Sequence, residues 1–570
     1  MQTRNCQNCK KDFTIEPDDF GFYEKIKVPP PTFCPSCRLQ RKLTWRNERS
    51  LHKVKCKAPG HTEEIISMYG TNDGFCVYDN DYWWSDKWDP MEHGLPYDFS
   101  TPFFVQFSNL LKKVPLVALS TINSVNSEYT NYVDGNKNCY LIFGCGWNEN
   151  IRYGSKLFLC KDSQDLFICT KCELSYESVG CIESYKLFWS VNSKNCSDSY
   201  FLYDCRNCTN CFGCVNLVSK SYCIWNKQYT REEYFKKLEE LHLNSYKSIL
   251  DLKNEFKDLY LSSVHRYANI FASVNCTGDY INNSKNSKNC FDLYQNVEDS
   301  KYLCSALDLK DAYDSYGAFK NELSYENIDA NIGHKNLSCL TIYNSENVNY
   351  GFNCHDLKDS FGCIGLRKKQ YCILNKQYSK EEYEKLLPKI KQHMDKMPYV
   401  DSRGRAHKYG EFFPSELSPF YYNETIAQEY FPLTEEDTQK KAFRWREKEK
   451  RTYTIDIPND SIPDDIQNII EDILNKVIEC LHKGKCGEQC TEAFKILPEE
   501  LKFYKRMNVP LPRLCSNCRH HQRFKQRSPV KLGHRQCMCD KNHPSHKGSW
   551  DVEFETSYAP DRPEIVYCEK

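Results

Sequence analysis

Two short cysteine pairs near the start of the chain place the strongest limit on its fold. Cys6 and Cys9 are followed, after 24 intervening residues, by Cys34 and Cys37. Two Cys-x-x-Cys turns joined by such an insert are typical of a zinc ribbon, because each turn presents two thiolates to one side of a tetrahedral ion. We therefore expect these four cysteines to bind a structural Zn²⁺.

The other end of the chain repeats this pattern. The segment FYEKIKVPPPTFCPSCR at 22–38 recurs at 503–519 as FYKRMNVPLPRLCSNCR. Cys490 and Cys515 again enclose 24 residues, and Cys518 follows them. The repetition predicts a second zinc ribbon.

The first ligand of this second ribbon is out of register. Gly487 stands where Cys6 would align, and Cys486 lies one residue earlier. A Cys-x-x-x-Cys turn still suits zinc, so Cys486 is favoured over the more distant Cys480. The predicted second site consists of Cys486, Cys490, Cys515 and Cys518.

Both ends resemble the small zinc-ribbon family of bacterial proteins that are described only as probable zinc-binding domains. The resemblance covers the ribbons alone, and it implies a fold and a metal without implying a reaction. A ribbon with four protein ligands leaves zinc no open position, so a structural role is expected. In the first ribbon the resemblance rests on Cys6, Cys9, Phe13, Phe22, Tyr23, Pro31, Cys34, Cys37 and Arg38.

Further metal-ligating residues follow each ribbon. After the first ribbon they are Cys56, His61 and Cys76, with Asp79 nearby, and after the second they are Cys537, Cys539, His543, His546 and Cys568. Their spacing is irregular, and buried cysteines with surface histidines are a competing interpretation. The sequence thus leaves open whether the chain binds two or four zinc ions.

A larger duplication lies between the two ends. ELSYES at 173–178 recurs as ELSYEN at 322–327, and SYCIWNKQYTREEY at 221–234 recurs as QYCILNKQYSKEEY at 370–383. Both copies are displaced by 149 residues. One module, 125–262, has therefore been copied to 263–396.

Aromatic residues recur at short intervals inside the second module. Tyr280, Phe291, Tyr302 and Tyr313 are spaced 11 residues apart. Regular short periods indicate units that stack on their neighbours, and two such units would form a coil of about 22 residues in a parallel β-helix. An antiparallel sheet of short hairpins is the alternative.

A helix is expected to close each module. Thr230 with Glu233, and Ser379 with Glu382, form capping boxes before helical sequence. Further along, the apolar spacing of 464–481 predicts an amphipathic helix.

These features predict a mainly β chain with α segments, in which zinc ribbons flank a duplicated β-solenoid-like repeat body. Each boundary follows a change of pattern along the chain. The predicted order is a zinc ribbon at 1–50, a Cys/His- and Trp-rich segment at 51–124, repeat modules at 125–262 and 263–396, an aromatic linker with helices at 397–478, a zinc ribbon at 479–530, and a Cys/His-rich tail at 531–570.

The chain contains 33 cysteines and has zero formal net charge. It has no long apolar segment and no signal peptide, which predicts a cytoplasmic protein without membrane contact, in which thiols stay reduced. The run Cys205, Cys208, Cys211 and Cys214 is similar in spacing to an iron–sulfur ligand series. The second module keeps only the outer pair, as Cys354 and Cys363, so a ladder of buried cysteines is favoured.

Both ribbons are locally basic. Residues 1–57 hold 13 Lys/Arg against 6 Asp/Glu, and residues 483–541 hold 14 against 5. Such residues beside a rigid knuckle can neutralise phosphates, with a solvated basic face as the alternative. The predicted nucleic-acid-binding residues are Arg38, Arg41, Lys42, Arg46, Arg519, Arg523, Lys525 and Arg527.

No sequence motif indicates catalysis. The segment 77–90 mixes aspartates with tyrosine and tryptophan and could line a sugar or cation site, although a buried aromatic core explains it more simply. The leading hypothesis is a non-catalytic zinc-binding scaffold that binds nucleic acid or a ribonucleoprotein through its ribbons. The alternatives are a protein-interaction scaffold that uses the repeat surface, and a carbohydrate-active β-helix enzyme.

Overall fold

The structure is a computed structural model that describes residues 1–71, 73–448, 453–542, 548 and 552–569. It is mainly β, with 32% of residues in strands and 23% in helices. Large parallel sheets make up most of the strand content. In the described part of the chain, no helix has the length and apolar content needed to cross a membrane.

The chain begins with a small metal-ligand unit, which we call the first ribbon unit (residues 1–79). A β-hairpin and two helices form its ribbon, and a second hairpin follows. Its elements are β1 (Gln2–Asn5), β2 (Asp12–Ile15), α1 (Pro17–Ile26), α2 (Pro35–Leu43), β3 (His52–Lys55), β4 (Glu64–Ser67) and β5 (Val77–Tyr78). Three further elements lead to the repeats, namely α3 (Asn80–Trp84), α4 (Phe103–Lys113) and β6 (Leu116–Val117).

The first repeat body (residues 120–228) is built from parallel strands with a constant register. Ser197 pairs with Thr209, and Thr209 pairs with Ser221, so successive partners are 12 residues apart. The strands are β7 (Thr121–Ile122), β8 (Asn131–Asp134), β9 (Tyr140–Gly146), β10 (Arg152–Ser155), β11 (Tyr185–Phe188), β12 (Ser197–Tyr203), β13 (Thr209–Val215), β14 (Ser221–Ile224) and the antiparallel β15 (Lys227–Gln228).

A three-residue period underlies this register. Every third backbone residue has a positive φ, as at Asn192 (52°) and Asn195 (52°). Except near the two ends of the body, the residue after each one is buried, as at Ser193 and Cys196. Asn and Asp enter the left-handed region more easily than other non-glycine residues, because their short polar side chains bond locally. Four such triplets make up each 12-residue step.

Small polar side chains fill the interior of this body because the backbone satisfies them. Ser193 Oγ donates to the Val191 carbonyl (3.1 Å) and accepts from the Cys205 amide (3.3 Å) one step along. Cys196 Sγ donates to the Lys194 carbonyl at 3.3 Å. Buried polar groups that are paired in this way carry little desolvation penalty.

The second repeat body (residues 269–377) has the same construction. Cys304 pairs with Tyr316 at a 12-residue step, whereas Ile270 pairs with Ile281 at an 11-residue step and a bulge shifts the register between Leu293 and Gln295. Its strands, with the preceding β16 (Val264–Arg266), are β17 (Ile270–Phe271), β18 (Gly278–Asn282), β19 (Cys290–Glu298), β20 (Cys304–Tyr313), β21 (Tyr316–Tyr325), β22 (Ile328–His334), β23 (Leu340–Asn349), β24 (Phe352–His355), β25 (Lys358–Phe361), β26 (Cys372–Ile373) and the antiparallel β27 (Lys376–Gln377).

The register corrects one detail of the sequence interpretation. Repeat strands pair in parallel, so the alternative of antiparallel hairpins is wrong for these bodies. The step is 12 residues rather than about 22, because each step contains four short three-residue segments instead of two longer strand–turn units.

Helices follow each repeat body as the capping boxes predict. The Thr230 hydroxyl accepts from the Glu233 amide (3.2 Å), and the Ser379 hydroxyl accepts from the Glu382 amide (3.2 Å). The helices are α5 (Arg231–Glu240) and α6 (Tyr246–Ser262) after the first body, and α7 (Lys380–Lys396) after the second.

The segment after α7 packs against the first ribbon unit and the second body. Phe412 and Phe413 are fully buried, and the Phe413 ring lies 5.0 Å from the Trp45 ring. This segment contains β28 (Tyr399–Val400), β29 (Ala406–His407), α8 (Ile426–Tyr430) and α9 (Glu435–Lys440).

The amphipathic helix predicted at 464–481 does not form. Two short 3₁₀ helices, Ile466–Asn468 and Glu471–Asn475, occupy this stretch, and β30 (Ile478–Glu479) follows. Ile466, Ile469 and Ile473 are nevertheless buried in one apolar cluster. Because 3₁₀ turns also bring every third residue to one face, the apolar spacing did not distinguish the two conformations.

The second ribbon unit (residues 478–568) mirrors the first. Its elements are β30, β31 (Ala493–Phe494), α10 (Pro498–Met507), α11 (Ser516–Phe524), β32 (Gly533–Gln536), β33 (Glu553–Thr556) and β34 (Ile565–Tyr567). β34 pairs in parallel with β16 at the start of the second body, just as β5 pairs with β6 before the first body. The chain is therefore built from two similar halves.

Candidate metal centres and the basic helices

The first ribbon brings its four cysteines together. Cys6 and Cys9 lie between β1 and β2, Cys34 immediately precedes α2, and Cys37 lies in its first turn. Their sulfur atoms lie within 4.8 Å of one another, and Cys9 Sγ is 3.7 Å from Cys34 Sγ. Tetrahedral zinc with bonds of about 2.3 Å places sulfurs about 3.8 Å apart. The four thiols therefore fit a closed zinc site.

Local hydrogen bonds favour thiolates at this site. The Cys34 amide donates to Cys6 Sγ at 3.2 Å, and Asn8 Nδ2 donates to Cys37 Sγ at 3.2 Å. Hydrogen bonds from the Cys34 and Cys37 thiols hold the pKa of Cys6 well below its usual range, whereas the hydrogen bonds with Cys34 and Cys6 raise the pKa of Cys37. Metal binding requires deprotonated thiols, and the contacts from the Cys34 amide and Asn8 stabilise that charge.

The second ribbon assembles a different set from the one that the sequence favoured. The sulfurs of Cys480, Cys490, Cys515 and Cys518 lie within 4.8 Å of one another. Cys486 Sγ lies 3.6 Å from Cys518 Sγ, in a second group that includes His482 and Glu488. Cys480, which spacing had made the less favoured candidate, thus completes the four-cysteine group.

Backbone contacts identify Cys480 as the counterpart of Cys6. The Cys515 amide donates to Cys480 Sγ at 3.3 Å, as the Cys34 amide donates to Cys6 Sγ. A longer loop separates Cys480 from Cys490 than separates the first pair, and Cys486 lies within that loop. Alignment by residue count alone could not reveal this insertion.

The basic residues of the first ribbon lie inside the protein. Arg38, Arg41, Lys42 and Arg46 are each at most 4% exposed. Arg38 pairs with Asp314 of the second repeat body at 2.9 Å. Arg41 pairs with Glu326 of that body at 2.7 Å and with Glu411 at 2.6 Å. Lys42 Nζ lies 3.7 Å from Glu326, and Arg46 pairs with Glu48 at 2.6 Å.

The second ribbon docks in the corresponding way on the first repeat body. Arg519 and Arg523 pair with Asp165 at 3.0 and 2.6 Å. Asp165 and Asp314 are equivalent positions, 149 residues apart in the duplicated modules. Arg527 pairs with Asp292 of the second body.

This arrangement changes the role expected of the basic residues. Of the eight that were predicted to bind nucleic acid, only Lys525 is exposed to solvent, and it pairs with Glu488. The other seven are enclosed by carboxylates or aromatic rings of the same chain, such as Arg46 over the Tyr132 ring. In this conformation they cannot reach phosphates.

Desolvation and ion pairing compete at these contacts: ion pairing raises the pKa of Arg41, whereas desolvation prevails at two of its neighbours. Burial raises the pKa of Glu326 despite the neighbouring Arg41 and Lys42. Burial likewise lowers the pKa of Lys42. The buried charges between the basic helices and the repeat bodies are therefore stabilised by opposite charges of the same chain rather than by water.

The first of the additional clusters combines ligands from the loop between β3 and β4 with Asp79. Cys56, His61, Glu63 and Asp79 form one group of close metal-ligating atoms. Cys76, expected as a ligand, packs among apolar neighbours and lies outside this group. Glu63 was not anticipated, although it lies only two residues after His61.

The aromatic part of segment 77–90 is largely core. Tyr82 and Trp83 are buried, and Asp79 and Asp89 cap short helices by accepting from the Tyr82 and Met91 amides (2.9 Å each). The simpler interpretation, a buried aromatic cluster with capping acids, thus accounts for most of the segment.

The corresponding C-terminal cluster falls only partly within the described residues. Cys537 and Cys539 are buried, and the Cys568 amide donates to Cys537 Sγ at 3.4 Å. His543 and His546 lie outside the described residues.

The cysteine run of the first body belongs to its interior. Cys205, Cys208, Cys211 and Cys214 are fully buried, and each thiol donates to a backbone carbonyl, as Cys205 Sγ does to Cys214 O (3.4 Å). This environment matches the buried ladder expected from the sequence.

No family model matches this chain, and no curated protein matches it in sequence. The resemblance of the two ends to a zinc-ribbon family therefore stays a prediction that rests on the ribbon residues.

Proposed function

We propose that this protein is a non-catalytic scaffold in which two structural zinc ions shape the ribbons and the ribbons fasten the repeat bodies together. One observation carries this proposal. Beside each four-cysteine group lies a basic helix that is buried against carboxylates of a repeat body. Four protein ligands leave zinc no site for substrate or water, which favours a structural role over catalysis.

We also propose that both repeat bodies are β-solenoids with a 12-residue coil of four three-residue sides. The parallel register of mostly 12 residues, the positive φ at nearly every third residue and the buried residue that usually follows it support this winding. Each coil then buries its interior residues only against its neighbours, as in other repeat proteins.

The outer faces of the repeats are the proposed surface for a protein partner. Asn126, Asn138, Asn150 and Asp162 form a hydrogen-bonded ladder along one edge, with links of 2.9, 3.1 and 2.7 Å. Trp147 and Leu159 occupy neighbouring steps and are half exposed. Ordered polar ladders beside exposed apolar side chains suit a protein surface better than a phosphate backbone.

Charge on these faces is balanced, which also disfavours nucleic acid. Glu149 lies between Lys137 and Lys161, at 3.3 and 3.1 Å from their ammonium groups. The ladder continues from Lys161 to Glu173, so its two lysines and two glutamates leave no surplus positive charge to release counterions from phosphates.

The test measures metal content and nucleic-acid affinity of the full chain. We expect Cys515→Ala to lower the bound zinc by one ion and to decrease resistance to urea, because the second ribbon loses a ligand. Partly buried Cys276 offers a matched control, since Cys276→Ala removes a thiol outside both groups. Unchanged zinc content in Cys515→Ala would refute the structural role.

Binding of single-stranded RNA and duplex DNA across a salt series separates the two scaffold hypotheses. We expect little affinity even at low salt, because the basic helices are buried. A steep decrease of affinity with salt, weakened by Lys525→Glu, would instead support the nucleic-acid scaffold.

A further inference from the structure

Beside the first ribbon, one thiol, one imidazole and two carboxylates converge on a common point. We propose that Cys56, His61, Glu63 and Asp79 form an additional zinc site that is distinct from the two four-cysteine sites. Their ligand atoms all lie within 4.8 Å of one another. Sulfur, imidazole nitrogen and carboxylate oxygen are the three ligand types that Zn²⁺ uses in proteins.

The local fold holds these ligands on rigid elements. Cys56 directly follows β3 and Glu63 directly precedes β4, and the Cys56 amide donates to the Glu63 carbonyl at 3.0 Å. His61 lies in the turn between them, where its amide donates to the Ala58 carbonyl at 3.0 Å. Asp79 enters from the end of β5. The site thereby joins the hairpin to the strand that leads toward the first repeat body.

The distances lie near those of zinc coordination. His61 Nδ1 lies 2.7 Å from Glu63 Oε1 and 3.0 Å from Asp79 Oδ2, while Cys56 Sγ lies 3.8 Å from His61 Nδ1 and 3.2 Å from Asp79 Oδ2. Tetrahedral zinc places nitrogen and oxygen ligands about 3.3 Å apart and sulfur and nitrogen ligands about 3.6 Å apart. Both nitrogen–oxygen separations are shorter than the first value and the sulfur–nitrogen separation is longer than the second, so small side-chain shifts would bring the four ligands onto zinc.

The backbone adds a second, independent observation. The Asp79 amide donates to Cys56 Sγ at 3.3 Å, which stabilises negative charge on sulfur. The second ribbon unit has the same contact, from the Cys568 amide to Cys537 Sγ at 3.4 Å. Cys537 follows β32 as Cys56 follows β3. The same amide-to-sulfur arrangement therefore occurs at corresponding places in both halves.

Asp79 directs one oxygen toward the proposed metal position. Its Oδ1 accepts from the Tyr82 amide at 2.9 Å and caps α3, whereas Oδ2 faces Cys56 and His61. An asparagine would keep the capping interaction, since Asn is as good an N-cap as Asp. It would lose the anionic ligand.

This site is more open to solvent than the second four-cysteine group. The side chain of His61 is 29% exposed and that of Glu63 is 52% exposed, whereas the cysteines of the second group, Cys480, Cys490, Cys515 and Cys518, are all buried. In the first group only Cys9 is exposed. Because water can compete with the exposed Glu63 carboxylate, we expect zinc to leave this site before it leaves the ribbons. Zinc at this site would then stabilise the contact between the hairpin and β5 reversibly, whereas zinc in the ribbons would stay bound.

The experiment counts zinc bound to purified full-length protein. We expect Asp79→Asn and His61→Ala each to lower the content by one ion relative to wild type. Cys76→Ala is the matched control, because Cys76 is a neighbouring thiol outside the group and should leave the content unchanged. The two four-cysteine sites are unaffected by these substitutions, so failure here is distinguishable from failure of the structural-zinc proposal.

A second measurement distinguishes loss of the zinc site from misfolding of the variant. X-ray absorption at the zinc edge of the wild-type protein should show nitrogen or oxygen ligands in addition to sulfur, and that contribution should decrease in Asp79→Asn. Zinc content that stays equal in both variants, with an unchanged ligand environment, would overturn the proposal and leave the cluster as an ion pair between His61 and two carboxylates.

Discussion

At the scale of single residues, buried charge joins the ribbons to the repeats. Arg38, Lys42 and Asp314 are each at most 2% exposed through their side chains. Removing charges from water is unfavourable, so such a group persists only where each charge meets an opposite one with good geometry. The same interaction makes the contact specific, because a wrongly placed ribbon would leave a carboxylate unpaired.

We predict that Arg38→Met decreases the free energy of unfolding by about 3–5 kcal/mol, because Asp314 would remain buried with only Lys42 at 3.8 Å. Urea denaturation measures the change. The double variant Arg38→Met with Asp314→Leu should regain most of the loss, since it removes both charges. Lys525→Met, at an exposed side chain, should change stability by less than about 0.5 kcal/mol. A small effect of Arg38→Met would show that the ribbon is not held by this pair.

His355 should make stability depend on pH. Burial lowers its pKa from 6.5 to about 3, and its ring stacks on Tyr343 at 5.2 Å. The unfolded chain takes up a proton below pH 6.5, whereas the folded protein does so only near pH 3. Its contribution is therefore complete above pH 6.5 and decreases by about 1.4 kcal/mol per pH unit as the pH falls toward 3.

We expect His355→Phe to reduce the loss of stability between pH 7 and pH 5, because phenylalanine keeps a ring against Tyr343 and does not titrate. Urea midpoints at the two pH values measure this difference. Equal pH dependence in variant and wild type would mean that His355 is protonated in the folded protein.

At the scale of elements, the sequence predicted the type of structure better than its dimensions. Local sequence patterns predicted the two ribbons, the duplication, the capping boxes and the parallel sheets, because each pattern favours one kind of structure. The three-residue period is present in the sequence, as in SDS-YFL-YDC-RNC-TNC at 197–211, but the aromatic spacing of 11 residues is a stronger pattern and indicated a different period. The burial of the basic helices could not be predicted, because it depends on carboxylates such as Asp165 that lie hundreds of residues away.

Near the end of each repeat body, an asparagine side chain takes the place of a further pairing strand. Asn375 Oδ1 accepts from the Ile364 amide (2.8 Å), and Nδ2 donates to the Ile364 carbonyl (2.7 Å). Asn226 makes the same two contacts with Val215, at 2.9 and 3.1 Å. One side chain thus satisfies a backbone donor and acceptor at an edge that would otherwise be unpaired.

We predict that Asn375→Ala decreases the free energy of unfolding by about 2–3 kcal/mol, because it leaves two buried backbone groups unsatisfied. The Ile364 amide should also lose hydrogen-exchange protection. Asn375→Asp is the control for shape, and it should cost a similar amount because a carboxylate cannot donate to the Ile364 carbonyl. Wild-type stability of both variants would show that solvent satisfies this edge.

At the scale of the whole molecule, the two halves are interlocked. The first ribbon unit pairs a strand with the entrance to the first body through β5 and β6, yet its basic helix docks on the second body at Asp314. The second ribbon unit pairs β34 with β16 before the second body and docks on the first body at Asp165. This exchange follows the approximate twofold relation expected of a duplicated, fused pair of subunits.

Because each ribbon contacts the repeat body of the other half, we predict that the two fragments stay associated after the chain is cleaved between the halves. The turn between α5 and α6, at His242, separates residues 1–242 from residues 243–570. A protease site inserted there would leave both ribbon contacts, Arg38 with Asp314 and Arg519 with Asp165, bridging the two fragments. We expect the cleaved protein to elute from size-exclusion chromatography as one species, even at high salt, because buried pairs are weakly screened.

The control for this experiment is the same cleavage in a variant whose contacts between ribbons and repeat bodies are weakened. When Arg38→Met and Arg519→Met are combined, each fragment keeps its own ribbon but loses one buried ion pair with the other fragment, so the cleaved protein should separate at lower urea concentration than the cleaved wild type. Separation of the wild-type fragments without denaturant would show that covalent linkage, and not the crossed docking of the ribbons, holds the two repeat bodies together.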